Sequence, residues 1–143
     1  MPSLLELLST GGFGTAAPGA SEEDVLSELG EPDFRSPQGR RRRTWIWKWD
    51  ALEVCFYQRL VTLIHTEFEH ELQPAFLDSH GWTRNTTQRE IEQALDEAGV
   101  RYAPDERHFL EGEEHSIVTT AGAVVGFDWP GTLLYISSMY VSP

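Results

Sequence analysis

Cysteine is almost missing from this chain. Cys55 is the only one, so no internal disulfide can form and stability has to come from packing, which suits a reducing compartment. Long apolar runs are missing too. No window nears the roughly 20 residues that a membrane-crossing helix needs. Met1 to Leu8 has no basic start and carries Glu6, so it does not read as a secretory signal. The expected address is cytoplasmic, with no membrane partner.

Positive charge is scarce: 11 Lys and Arg stand against 23 Asp and Glu, a net charge of −12. Such a field repels nucleic-acid backbones and attracts basic proteins, speeding their encounter at low salt. The one basic cluster, Arg40 to Arg43, has no aromatic platform beside it and reads as a solvated loop.

Catalytic signatures are missing as well. The glycines at Gly11, Gly12 and Gly14 precede no Lys-Ser/Thr pair, and there is no G-x-S-x-G or H-E-x-x-H. Cys55 sits mid-strand among apolar neighbours, where a thiol is packing. The carboxylate pairs Glu22/Glu23, Asp105/Glu106 and Glu113/Glu114 lie in hydrophilic helix starts or loops, where nothing shifts their pKa. His65, Glu67 and Glu69 share a strand face, the one arrangement that resembles a metal site. A solvent-facing strand flank has the same pattern, and no other histidine has the spacing to complete it. The chain is therefore expected to be no enzyme and to need no metal or cofactor.

What is present is architecture. The chain has 143 residues, 40% of them hydrophobic, enough for one compact domain or two small ones sharing a core. Ser21-Glu-Glu-Asp24 is a capping box; Val25, Leu26 and Leu29 make an apolar helical stripe, and Gly30 with Pro32 ends it. Three strands follow in TWIWKW, LEVCFY and LVTLIHTEF, separated by Asp50-Ala51 and Gln58-Arg59, which describes an antiparallel meander. Thr87 to Glu90 is a second capping box; Ile91 and Leu95 repeat the spacing of Val25 and Leu29, and HSIVTT, AVVGFDW and LLYISSMYV supply three more strands. The expected fold is α+β: two tandem helix-plus-antiparallel-meander repeats, forming a joined sheet with helices on one face. Its units are an N-terminal segment (1–20), repeat 1 (21–68), a linker (69–86) and repeat 2 (87–143). Within the linker, Leu77 and Trp82 are expected to tuck against the body.

Strand alternation puts Trp45, Trp47 and Trp49 on one face, with Thr44, Ile46 and Lys48 on the other. The indoles are either the layer under the helices or an aromatic binding surface.

The order SEEDVLSELGEPD, WKWDALEVCF and a strand ending in Leu63-Ile64 resembles a pattern of small bacterial domains: a helix, Leu-Gly-x-Pro, Trp-x-aromatic and Leu-x-Val-x-Phe. These include the repeats of the β-lactamase inhibitory protein family and the small outer-membrane lipoprotein assembly factors. The chain is also similar to small actinobacterial immunity proteins. The match covers Ser21 to Thr66 closely and Thr87 to Tyr140 loosely, with Gly99-Val100 in place of Leu-Gly-x-Pro; the secreted inhibitor's paired cysteines are absent. The resemblance implies tandem units whose sheets join edge to edge and leave a face for a partner protein.

The function expected is thus that of a protein-binding module, an immunity or inhibitor type that occludes a basic, toxin-like partner. Trp45, Trp129 and Tyr140 are the candidate aromatic anchors, and Glu53, Glu67 and Asp128 the candidate carboxylate rim. The alternative is a small-ligand or enzymatic domain with a cleft between the repeats, using His65 and Glu67. Either a monomer or an edge-paired homodimer is compatible.

Overall fold

A computed structural model of the chain describes residues 1–37, 43–105, 115–129 and 131–139. It contains helices α1 (Leu4–Thr10), α2 (Glu22–Leu29) and α3 (Gln88–Glu97). Its strands are β1 (Phe34–Arg35), β2 (Thr44–Trp49), β3 (Leu52–Tyr57), β4 (Leu60–Glu67), β5 (Tyr102–Pro104), β6 (His115–Thr119), β7 (Ala123–Phe127) and β8 (Leu133–Met139). All eight strands join one antiparallel sheet in the order β1-β2-β3-β4-β8-β7-β6-β5. The architecture is α+β.

Local chemistry accounts for the elements. Ser21 caps α2 by accepting from the Asp24 amide at 3.2 Å, and the Asp24 carboxylate accepts from the Ser21 amide at 3.3 Å, closing the capping box. At α3 only half of the box forms. Thr87 accepts from the Glu90 amide at 3.2 Å, but the Glu90 carboxylate takes the Thr87 hydroxyl instead of its amide. The β3–β4 hairpin turns through Gln58 and Arg59, both left-handed at φ 50° and 68°, the signature of a type I′ turn. Two strands escape the sequence pattern, β1 and β5. At two and three residues they are too short for alternation to register, and they form the outer edges of the sheet.

The tryptophan stripe lies inside. Trp45, Trp47 and Trp49 pair across the strands with Phe56, Val54 and Leu52. They share one core with Leu4, Leu7, Leu8, Val25, Leu29, Ile91 and Leu95 from the three helices. Trp47 is 1% exposed and packs on Phe56 at 4.7 Å between ring centroids. The Arg35 guanidinium covers it at 4.5 Å, a cation–π contact. Among the described residues the indole N–H groups of Trp45, Trp47 and Trp49 are buried without a hydrogen-bond acceptor.

Residues outside the sheet are fastened to one another and to the middle of the sheet. Leu77 and Trp82 of the linker are buried, and the linker pairs with the N-terminal segment where the Leu4 amide donates to the Asp78 carbonyl at 2.9 Å. The N-terminal segment is fastened to β8 by the Ser138 hydroxyl, which donates to the Gly11 carbonyl at 2.7 Å.

Candidate partner-binding surface

The sheet face opposite the tryptophans can be built up from the strand registers, because directly paired residues lie on the same side. Two rows are apolar. Tyr57 pairs with Leu60 at the tip of the β3–β4 hairpin, and Ile46, Cys55, Leu63 and Met139 run in sequence across β2, β3, β4 and β8. The next row crosses the whole sheet, from Phe34 through Lys48, Glu53, His65, Ser137, Val124 and Val118 to Ala103. Beyond it stand Glu67, Tyr135 and Gly126.

A bulge shapes this surface. Between Cys55 and Phe56 the β3–β4 register slips by one residue, leaving Thr62 unpaired, with its hydroxyl donating to the Cys55 carbonyl at 3.3 Å. The slip lets Val61 and Ile64 both point into the core while Leu60 and Leu63 stay on the other side.

The polar groups gather where β2, β3 and β4 meet the seam with β8. Lys48 pairs with Glu71, whose hydrogen bond holds the ammonium above its usual range. Glu53 lies between Lys48 and His65 in the register. His65 Nδ1 is 2.5 Å from the Ser137 Oγ, and its ring lies 5.6 Å from Tyr135. Burial pushes the imidazole below its usual pKa, against the pull of Glu53 and Glu67. Burial also pushes the Cys55 thiol up, and Glu53 adds to it. Glu67 is partly buried, which opposes its charge. It nonetheless titrates low because the amides of Glu69, His70 and Glu71 donate to its carboxylate at 2.6, 3.1 and 3.1 Å. The Tyr135 ring lies so close over Gly126 that a Cβ there would come within 2.2 Å of it.

Of the residues expected from the sequence, Glu53 and Glu67 fall on this face together with His65. Trp45 does not. It is 8% exposed and stacked on Phe56 among the core side chains, because the indoles pack with the apolar stripes of the helices. Asp128 is absorbed into the β7–β8 turn. It meets Arg84 at 2.5 Å and accepts from the Thr132 amide and hydroxyl at 2.8 Å. The Arg84 guanidinium holds its carboxyl well below the usual range, so its charge is answered within the fold. Trp129 is 74% exposed in the same turn, beside His115, and belongs to none of the rows above. Tyr140 lies outside the described residues, as do Arg40 to Arg42, Glu106, His108, Glu113 and Glu114.

Phe34, Ile46, Tyr57, Leu60, Leu63 and Met139 were not singled out from the sequence. Their signal was available in TWIWKW and LEVCFY, where the face opposite the large side chains still carries Ile46, Cys55 and Tyr57.

Two other expectations meet the geometry here. Among the described residues no group of three His, Cys, Asp or Glu could hold a metal ion; Glu69 lies beyond the end of β4, next to His70. In the middle of the sheet, β4 bonds directly to β8 from Leu63–Met139 to Glu67–Tyr135, so these strands have no cleft between them. A cavity of about 340 Å³ does exist elsewhere, beside α3, lined by Glu92, Tyr102, Asp105 and His115. Among the described residues no helix is long and apolar enough to cross a membrane.

Comparison with protein-family models, with curated proteins and with solved structures gives no match, and the residues themselves carry the functional reading.

Proposed function

We propose that the chain is a protein-binding module of immunity or inhibitor type, which occludes a basic partner protein in the cytoplasm with the sheet face opposite the tryptophans. One observation carries this reading. Five of the eight large apolar side chains exposed among the described residues, Phe34, Ile46, Tyr57, Leu60 and Met139, belong to that face, while Met1, Leu72 and Trp129 lie apart from it. Grouped exposed apolar area of this kind marks interaction surfaces, whereas scattered single residues do not. Phe34, at 54% exposed, Tyr57 and the half-buried Tyr135 make the face aromatic, and Glu53 and Glu67 make it acidic. No cofactor is needed, because burial of apolar area and steering by charge suffice for association.

The order of elements supports two helix-plus-meander repeats. α2 is followed by β1 to β4 and α3 by β5 to β8, and the strand order runs inward from both edges to a seam between β4 and β8. In this reading the helices pack on the tryptophan side and leave the other face for the partner.

The test is affinity capture of the tagged chain from lysate of its own organism at low and at high salt, repeated with Leu60→Glu. A stoichiometric basic protein, weakened by salt and lost with the variant, is the expected result. An acidic partner, or a partner indifferent to Leu60→Glu, would overturn the assignment of the face.

A further inference from the structure

We infer that the partner docks in one orientation, laying apolar side chains on the Tyr57–Leu60 and Ile46–Leu63–Met139 rows and a lysine or arginine beside Glu53 and His65. This rests on the binding role just proposed and adds to it the polarity and the chemistry of the occupant. The face divides lengthwise. Toward the β3–β4 hairpin, the Ile46–Cys55–Leu63 row is apolar on β2, β3 and β4 and the Tyr57–Leu60 row is apolar on β3 and β4, with Thr44 at its β2 end, whereas two residues further along the strands from Ile46, Cys55 and Leu63 come Lys48, Glu53 and His65.

Charge at the second end is one-sided. Lys48 is already engaged by Glu71, His65 is held toward its neutral form, and among the described residues Glu53 forms no ion pair, with Lys48 across the strand pair turned to Glu71. An incoming cation completes this group, while an incoming carboxylate meets Glu53 and Glu67 together. Strand rise of about 3.3 Å per residue separates neighbouring same-face rows by about 7 Å. The matching segment therefore carries its cation about 7–14 Å from its apolar side chains.

Other occupants fit less well. A second copy would bring another chain of net charge −12, with the same carboxylates, against this face. Pairing through the sheet edges is hindered, since β1 is two residues long between Pro32 and Pro37, and β5 ends in Pro104.

The experiment uses the full chain, isotope-labelled, and three capped peptides. The first carries Leu, Ile and Phe at alternate positions followed by two lysines; the second replaces the lysines by glutamates; the third replaces the apolar residues by serines. Amide shifts from the first peptide are expected on β2, β3, β4 and β8, with much weaker effects from the other two. Glu53→Gln should weaken the first peptide about two- to five-fold, and Leu60→Ser about five- to ten-fold. A nitroxide at the lysine end should broaden the signals of Glu53 and His65 more strongly than those of Leu60.

The reverse broadening pattern, or equal binding by the lysine and glutamate peptides, would overturn the orientation while leaving a face-bound partner from lysate intact. Shifts confined to other surfaces, with capture unaffected by Leu60→Glu, would remove both the orientation and the binding role. Concentration-dependent shifts without peptide would identify a second copy as the occupant and refute the inference.

Discussion

Replacing Trp47 by phenylalanine should leave stability within about 1 kcal/mol of the parent, an unusual outcome for the largest fully buried side chain of the core. Three contributions decide it. The smaller ring removes about 40 Å² of buried apolar area, a loss of about 1 kcal/mol. The space left behind costs about another 1 kcal/mol. Against these stands the indole N–H, buried without an acceptor, whose removal returns about 1–3 kcal/mol. Phenylalanine still offers a ring face to Arg35 and still meets Phe56. Trp47→Ala lacks these compensations and should lose about 3–5 kcal/mol. Urea unfolding followed by far-ultraviolet circular dichroism, with the denaturant slope compared across the variants, measures both changes. A loss of 3 kcal/mol or more for Trp47→Phe would refute the reasoning, because it would mean that the indole N–H is hydrogen-bonded in solution.

Three further outcomes are expected. Arg59→Gly should stabilise the chain by about 0.5–1 kcal/mol, because Arg59 holds φ at 68° in the β3–β4 turn and the relief there exceeds glycine's entropy in the unfolded chain; an unchanged or lower urea midpoint would count against the type I′ turn. Arg84→Met should cost about 1–3 kcal/mol at neutral pH. Asp128 is held below its ordinary 3.8, so the pair's contribution is present above that value and fades as pH falls; the same loss at pH 7 and pH 3 would show that Asp128 owes its state to something else. His65 is depressed below 6.5, so the unfolded chain takes up that proton first on acidification. Stability should therefore be full above about 6.5 and decline below it, and His65→Gln should reduce that slope in unfolding curves between pH 5 and 8; parallel slopes would contradict burial as the cause.

What could be read from the sequence was what neighbours in sequence decide. The Ser21 box, the hairpin turns at Asp50 and Gln58-Arg59, and the shared face of the three tryptophans all depend on a few consecutive residues. Alternation tells which side chains share a face without telling which face is covered, so Trp45 stood as an anchor when it is packed on Phe56. The tie that holds Asp128 in its turn went unread for a related reason. Its partner Arg84 lies 44 positions earlier, and no local pattern announces that contact. The slip at Thr62 cannot be seen in LVTLIHTE, yet it turns both Val61 and Ile64 inward. At Thr87 the pattern of a capping box was present, but the Glu90 carboxylate had a hydroxyl nearer to hand.

The seam between β4 and β8 also sets a timetable for the growing polypeptide. His65 meets Ser137, 72 positions later, and at about 5–20 residues per second the ribosome needs roughly 4–14 s to supply the second strand. During that interval β4 is a bare strand edge, with its amides and carbonyls free to bond a strand from another molecule. A nascent neighbour at the same stage offers the same sequence, and its own β8, once made, fits the gap as well as the rightful one. Crowded synthesis on one messenger therefore favours exchange of β8 between chains, and dilution or a chaperone that shields β4 favours the monomer.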